Sequence, residues 1–220
     1  MDDQQVKKAV KALLKYIRKE KKEKPKNLLE NDETLWLSVG LKKIQEKKTM
    51  PVKVPIPNSF RDAESVCLIV KDSKAVKQIL GNTNIKIIST EKLKTKYKAY
   101  EARRKLCASF DLFLADDNII TMLPSLLGKE FFKKKKLPLP VRINKNLSSK
   151  IERCIKSTVL LPVSGPCTSI KIATDQMTQE QIVENILSVN EFLQTKFGDD
   201  ILNIQLKSST SVALPIYCNF

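Results

Sequence analysis

The sequence predicts an α/β protein of two interleaved domains, in which a discontinuous α+β domain made from both ends of the chain is interrupted by a βαβ section. Three observations predict this. In the middle of the chain, short apolar runs alternate with helical periodicity, the pattern of a parallel or mixed sheet. The outer segments read differently, as a helix followed by strands and then as strands around one long helix. The stretch Asn58-Ser59-Phe60-Arg61-Asp62 reads as a turn and marks the first passage between the two patterns. The expected division is 1–60 with 146–220 for the outer domain, and 61–145 for the insert.

The first segment opens with Val6, Val10, Leu13, Leu14 and Ile17 at helical spacing. Lys7, Lys8, Lys11, Lys15, Arg18 and Lys19 fill the rest of the circumference, so one face is for a core and the other is cationic, either solvated or turned to RNA. Pro25 is expected to stop the helix. Thr34 to Leu41 is dense in strand formers. Val52, Val54 and Ile56 alternate as a half-buried strand does, and Pro51, Pro55 and Pro57 assign that strand to an edge.

In the insert, Ser65 to Val70 is a strand, followed by Asp72-Ser73 as a cap and a helix to about Leu80. Ile85 to Ile88 is a second strand, a basic helical segment runs to Ser109, and Phe110 to Ala115 is a third strand. Asp116-Asp117 caps a helix that Pro124 kinks or restarts, and Val141-Arg142-Ile143 belongs to the last strand. Beyond Asn144, Leu147 to Ser157 suits a helix, and Val159 to Val163 with Ser169 to Ala173 suits a strand pair. Thr178 and Gln181 form a capping box for a helix to Phe197 with the stripe Ile182, Ile186, Val189 and Leu193, and Gly198 ends it. Ile201 to Leu206 and Ser211 to Ile216 are the closing strands.

Charge narrows the function. Forty Lys and Arg against 24 Asp and Glu give a formal +16, which draws polyanions through long-range fields and counterion release. Residues 1–60 hold 15 basic and 8 acidic residues, 61–145 hold 19 and 9, and 146–220 hold 6 and 7. The cationic surface therefore belongs to the first segment and the insert. Histidine is absent, which removes Ser-His and Cys-His nucleophile pairs, His metal sites and the usual general base.

The five cysteines form no Cys-x-x-Cys pair, so the common zinc and redox motifs are missing. Cys67 and Cys107 lie in or beside apolar runs and read as reduced core residues of a reducing compartment. No apolar stretch approaches the roughly 18 residues of a membrane span, and a secreted or membrane-spanning protein is not expected. After Val70 comes Lys-Asp-Ser-Lys in place of a glycine-rich phosphate turn, and Thr210-Ser211 near Lys207 has no partner that activates a nucleophile. No catalysis, cofactor, metal or small-molecule substrate is expected.

Two constellations suit a nucleic acid. Lys92, Lys94, Lys96, Lys98, Arg103, Arg104 and Lys105 are opposed within their run only by Glu101, and Tyr97 and Tyr100 interleave with them. Such cations bind phosphates and a tyrosine stacks on an unpaired base, although a solvated helix face with core tyrosines has the same composition. The run Lys133, Lys134, Lys135 and Lys136, with Lys129 nearby, suits an RNA contact, a nuclear import signal or a solvated loop.

Several stretches together resemble the ribosomal L1 protein family. Asp32-Glu33-Thr34 leads into the first strand, and Val52-Lys53-Val54-Pro55-Ile56-Pro57-Asn58 is similar to the family's strand ending at the hinge. Phe110-Asp111-Leu112-Phe113-Leu114-Ala115-Asp116 precedes Leu123-Pro124-Ser125-Leu126-Leu127-Gly128-Lys129, and the basic loop ends in Leu137-Pro138-Leu139-Pro140-Val141. The resemblance spans nearly the whole chain in order. It implies a two-domain fold with a discontinuous α+β first domain and an inserted Rossmann-like second domain. It also implies RNA binding on the first domain, at Asn31, Asp32, Glu33 and Thr34 and at the loop Lys207, Ser208, Ser209, Thr210 and Ser211.

Ribosomal members carry Thr-Met-Gly-Pro where this chain has Thr210-Ser211-Val212-Ala213, and an aromatic where it has Asn31. Both departures resemble the nucleolar L1-domain proteins of ribosome assembly. The resemblance thus implies a ribosome biogenesis factor of the nucleolus or nucleus, a monomer within a large assembly. Its partners would be ribosomal or precursor rRNA and pre-ribosomal proteins, with no membrane. A large-subunit stalk protein of the cytoplasmic ribosome and a protein-interaction scaffold with little RNA contact are the alternatives.

Overall fold

A computed structural model of the chain describes residues 3–23, 32–44, 51–61, 65–80, 85–144, 146–161 and 165–218. The expectations placed on Pro25, Asn31, Asp62, Pro162 and Val163 lie outside these residues. In chain order the elements are α1 (Asp3–Glu23), β1 (Thr34–Leu41), β2 (Val52–Pro55), β3 (Val66–Val70), α2 (Ser73–Leu80), β4 (Lys86–Ser89), α3 (Thr90–Thr95) and α4 (Tyr100–Ser109). Then follow β5 (Leu112–Asp116), α5 (Leu123–Leu127), α6 (Lys129–Lys133), β6 (Leu139–Val141), α7 (Leu147–Ile155) and β7 (Ser157–Leu160). The chain closes with β8 (Cys167–Thr174), α8 (Gln179–Phe197), β9 (Ile201–Lys207) and β10 (Leu214–Cys218). Its residues group into two compact units, Met1–Phe60 with Lys156–Phe220, and Arg61–Ile155.

The first unit is an antiparallel sheet of order β10-β9-β1-β8 under a layer of two helices. Alternate residues of β1, namely Leu35, Leu37 and Val39, meet Val6, Val10, Leu13 and Ile17 of α1 and Ile182, Ile186, Val189 and Leu193 of α8 in one core. The capping box of α8 is made as its residues demand, with Thr178 Oγ1 accepting from Gln181 N–H and the Gln181 side chain from Thr178 N–H. Among the described residues the proline-flanked β2 pairs with β7 alone, apart from the larger sheet. The stretches expected as one strand pair, β7 and β8, join different ladders, because β8 lies on β1. They meet instead through Thr158 Oγ1, which donates to Lys171 O at 2.5 Å.

Buried Asn185 of α8 holds the end of the first segment. Its side chain accepts Asn58 N–H and donates to Asn58 O, both at 3.0 Å, and it also donates to Ile172 O at 3.1 Å.

The second unit is a parallel sheet of order β4-β3-β5-β6. All five residues of β3 and all five of β5 are buried, as strands covered on both faces require. Cys67, Ile69, Phe113 and Ala115 pack with Leu93, Leu106, Leu123 and Phe131 from α3 to α6. In the middle of that core Phe113 and Phe131 meet edge-on, with centroids 4.8 Å apart.

Two local expectations are corrected. The passage back to the first unit falls at Ile155/Lys156, so α7 groups with the second unit and touches α2, and its apolar stripe is Leu147, Ile151 and Cys154. Asp116 caps nothing through its side chain; its carboxylate takes Asn118 Nδ2 at 3.3 Å, and Asp117 pairs with Arg142 at 3.2 Å.

Candidate nucleic-acid interface

Strand pairing builds the first candidate surface. Adjacent antiparallel strands begin and end together, so the entry to β1 and the exits from β8 and β9 share one end of the sheet. Thr34 is opposite Thr174 and Trp36 is opposite Lys207. The exposed Asp32, the half-buried Glu33 and Thr34, and the loop 208–211 therefore converge although they lie far apart in the chain. The last turns of α1 reach the same end. Thr210 Oγ1 donates to Glu20 Oε2 at 2.9 Å, and Lys21 pairs with Asp175. Gln176 Nε2 donates to Asp32 Oδ1 at 2.6 Å, and Asp175 N–H donates to Glu33 O at 3.0 Å.

The loop hydroxyls have distinct duties. Ser208 is 1% exposed; its Oγ donates to Glu33 Oε2 at 3.0 Å and accepts Thr210 N–H at 3.3 Å. Ser211 Oγ accepts Ser208 N–H at 2.8 Å and donates to Val212 O at 3.1 Å. These two serines form a turn that satisfies its own backbone. Ser209 and Thr210 are left exposed, beside half-buried Lys207 and a Val212 that is 80% exposed.

The structure therefore brings together Asp32, Glu33 and Thr34 with Lys207 to Ser211, while Asn31 lies outside the described residues. Sequence reasoning missed Glu20, Lys21, Asp175 and Gln176. The one available signal was that Glu20 interrupts the cationic face of α1.

The second surface lies on the inserted unit. Lys92, Lys94, Lys96, Lys98, Arg104, Lys105, Lys133, Lys134 and Lys135 are exposed. Arg103 and Lys136 have structural duties instead. Arg103 Nε donates to Tyr97 O at 3.0 Å, and its guanidinium lies over Gly128, which turns at φ +76° between α5 and α6. Lys136 Nζ donates to Cys107 O at 3.1 Å, Phe110 O at 2.7 Å and Asp111 Oδ1 at 3.2 Å, capping the end of α4.

The tyrosines divide as well. Tyr97 is half-buried against the core, whereas Tyr100 is 60% exposed and donates to Glu130 Oε1 of α6 at 2.5 Å. That bond holds the Tyr100 hydroxyl above its ordinary pKa, so it stays protonated. The lysine run is helical only to Lys133. Lys135 N–H then donates to Phe132 O and Lys136 N–H to Phe131 O, a Schellman ending with Lys135 left-handed at φ +55°.

Among the described residues no group of three or more His, Cys, Asp or Glu is placed to hold a metal ion, and no helix is long and apolar enough to cross a membrane.

The fold and its surfaces define a basic α/β protein with a hydroxyl-bearing loop at one end of an antiparallel sheet. The chain belongs to the ribosomal protein L1p/L10e family, which it matches over residues 13–212. It is 40% identical to the ribosomal L1 domain-containing protein 1 of Mus musculus over 238 residues, covering 100% of this chain and 52% of that one. A Schizosaccharomyces pombe protein named for ribosome biogenesis is 34% identical over 245 residues, covering 99% of this chain and 66% of that one. The large ribosomal subunit protein uL1A of Saccharomyces cerevisiae is 31% identical over 219 residues, covering 97% of both. The chain thus spans about half the length of the mouse relative and about two thirds of the fission-yeast one.

Proposed function

We propose that this chain binds ribosomal or precursor rRNA and acts, without catalysis, as a ribosome biogenesis factor of the nucleolus, a monomer within a pre-ribosomal assembly. The observation that carries the reading is the convergence of Asp32 to Thr34 with Lys207 to Ser211 at one end of the first unit's sheet. With its proton donated to Glu20, Thr210 offers lone pairs outward, and these accept from a ribose 2′-hydroxyl or a base amino group. Ser209 has a proton to give, and Lys207 supplies charge for a phosphate. The two units correspond in this reading to a discontinuous first domain and an inserted Rossmann-like domain, a scaffold that positions RNA. The name of the fission-yeast relative supports ribosome assembly as the setting.

A role in the mature large subunit is the second reading, favoured by the near-complete coverage of the budding-yeast large-subunit protein. Sedimentation of cell extracts joined to crosslinking of bound RNA tests both. Recovery with nucleolar pre-ribosomes and precursor rRNA is expected. Recovery with translating polysomes supports the second reading, and absence of crosslinked RNA overturns both.

A further inference from the structure

We propose that the second unit carries its own docking surface for an unpaired RNA strand, on the face built by α3, α4 and α6. It is separate from the loop surface of the first unit and does not depend on it.

Charge is the first argument. Residues 61–155 hold 21 basic and 10 acidic residues. Among the described residues, none of Lys92, Lys94, Lys96, Arg104, Lys133 and Lys134 forms an ion pair. Of the three acids on these helices, Glu91, Glu101 and Glu130, the last is engaged by the Tyr100 hydroxyl. Unpaired cations on successive turns of a helix repel one another, and a bound polyphosphate relieves that repulsion while releasing counterions.

Rigidity is the second. The two basic segments are far apart in sequence, yet α4 contacts α6, and α3 and α6 both contact α5. Arg103 and Lys136 tie the joints between these helices from beneath, so the outward cations stand on a fixed frame.

The third argument selects the ligand. Tyr100 is an exposed ring held in place among those cations by its bond to Glu130. A base offers its π face to such a ring only when it is unstacked, and stacking of this kind tolerates any sequence. A duplex, whose bases are already stacked, would use the charges and leave the ring idle.

The test uses the full chain and fluorescence anisotropy with labelled oligouridine of about 12 nucleotides, a length one compact surface covers. A blunt RNA hairpin serves as the structured ligand. The triple substitution Lys92→Glu, Lys96→Glu, Arg104→Glu is expected to weaken oligouridine binding about tenfold or more and to leave the hairpin within about threefold. Tyr100→Leu is expected to weaken oligouridine about fivefold, whereas Tyr100→Phe, which keeps the ring but frees Glu130, is expected to stay within about twofold.

All three residues of the triple variant are exposed, and circular dichroism checks its fold; if it misfolds, the Tyr100 pair decides alone. Unchanged oligouridine affinity in the triple variant overturns the proposal. So does its loss in Lys207→Glu, a first-unit change, in place of the triple. An unaffected Tyr100→Leu overturns it too, because the cations would then hold phosphates with no base stacked on the ring. Hairpin binding that fails while oligouridine binding survives counts against the first-unit reading alone.

Discussion

Thr210 and Glu20, 190 residues apart in sequence, share a 2.9 Å hydrogen bond that ties the loop after β9 to the last turns of α1. With that proton engaged, the proposed interface uses the lone pairs of the exposed Thr210 oxygen as acceptors. Thr210→Val keeps the shape and removes the oxygen, so binding of structured rRNA by the full chain should fall about tenfold with little change in melting, because the site is exposed. Thr210→Ser should restore it. Equal affinities for all three in a titration would remove Thr210 from the interface.

Ser208 acts from beneath. Ser208→Ala leaves Glu33 and the Thr210 N–H without their buried partner, and should destabilise the first unit by about 1–3 kcal/mol. Trp36, the single tryptophan of the chain, lies in β1, so its emission during urea unfolding reports this unit. The midpoint should shift for Ser208→Ala and stay in place for Ser209→Ala, whose side chain is exposed.

Lys136 differs from its neighbours in the lysine run because its ammonium binds two carbonyls and Asp111. Lys136→Met should cost the second unit about 1–2 kcal/mol, reduced from the value for a buried charge because the side chain is 24% exposed, whereas Lys134→Met should cost almost nothing. Calorimetric melting of the two variants separates them.

Lys135 occupies a left-handed position that glycine adopts at lower cost. Lys135→Gly should leave stability unchanged or raise it by up to about 1 kcal/mol, and weaken RNA binding through the lost charge. A destabilised glycine variant in thermal melting would contradict the Schellman assignment.

The thiols give a pH prediction. Burial pushes Cys67 from the ordinary 9.0 to about 12, the cost of desolvating a thiolate, and burial also raises Cys107. Above pH 9 the unfolded thiol ionises and the folded one does not, so stability falls as pH rises toward 12. At pH 8, Cys167 and Cys218 should react rapidly with a thiol reagent, and Cys67, Cys107 and Cys154 only on unfolding. Rapid labelling of Cys67 in the folded protein would contradict its burial.

Much of the fold was legible because local chemistry dictates it. The β1 bounds and the α8 capping box follow from side-chain spacing alone. What was not legible depended on partners distant in sequence. β7 and β8 look like a pair because they are close in the chain, yet each had a better neighbour elsewhere. The membership of α7 is decided by what its apolar stripe meets, which periodicity does not state. At the candidate site, residue types pointed to the hydroxyl loop, but only the fold separates Ser208 from Ser209, or Lys136 from Lys134. Glu20 enters the site through topology, with no local mark beyond its charge.

Binding of the full chain to a structured precursor-rRNA fragment, followed from about 50 to 300 mM salt, tests the central claim that fixed positive charge on this scaffold holds folded RNA. A plot of log affinity against log salt should be linear with a slope steeper than about −3, the signature of several phosphates neutralised together. A flat plot, or no binding at the lowest salt, would contradict it.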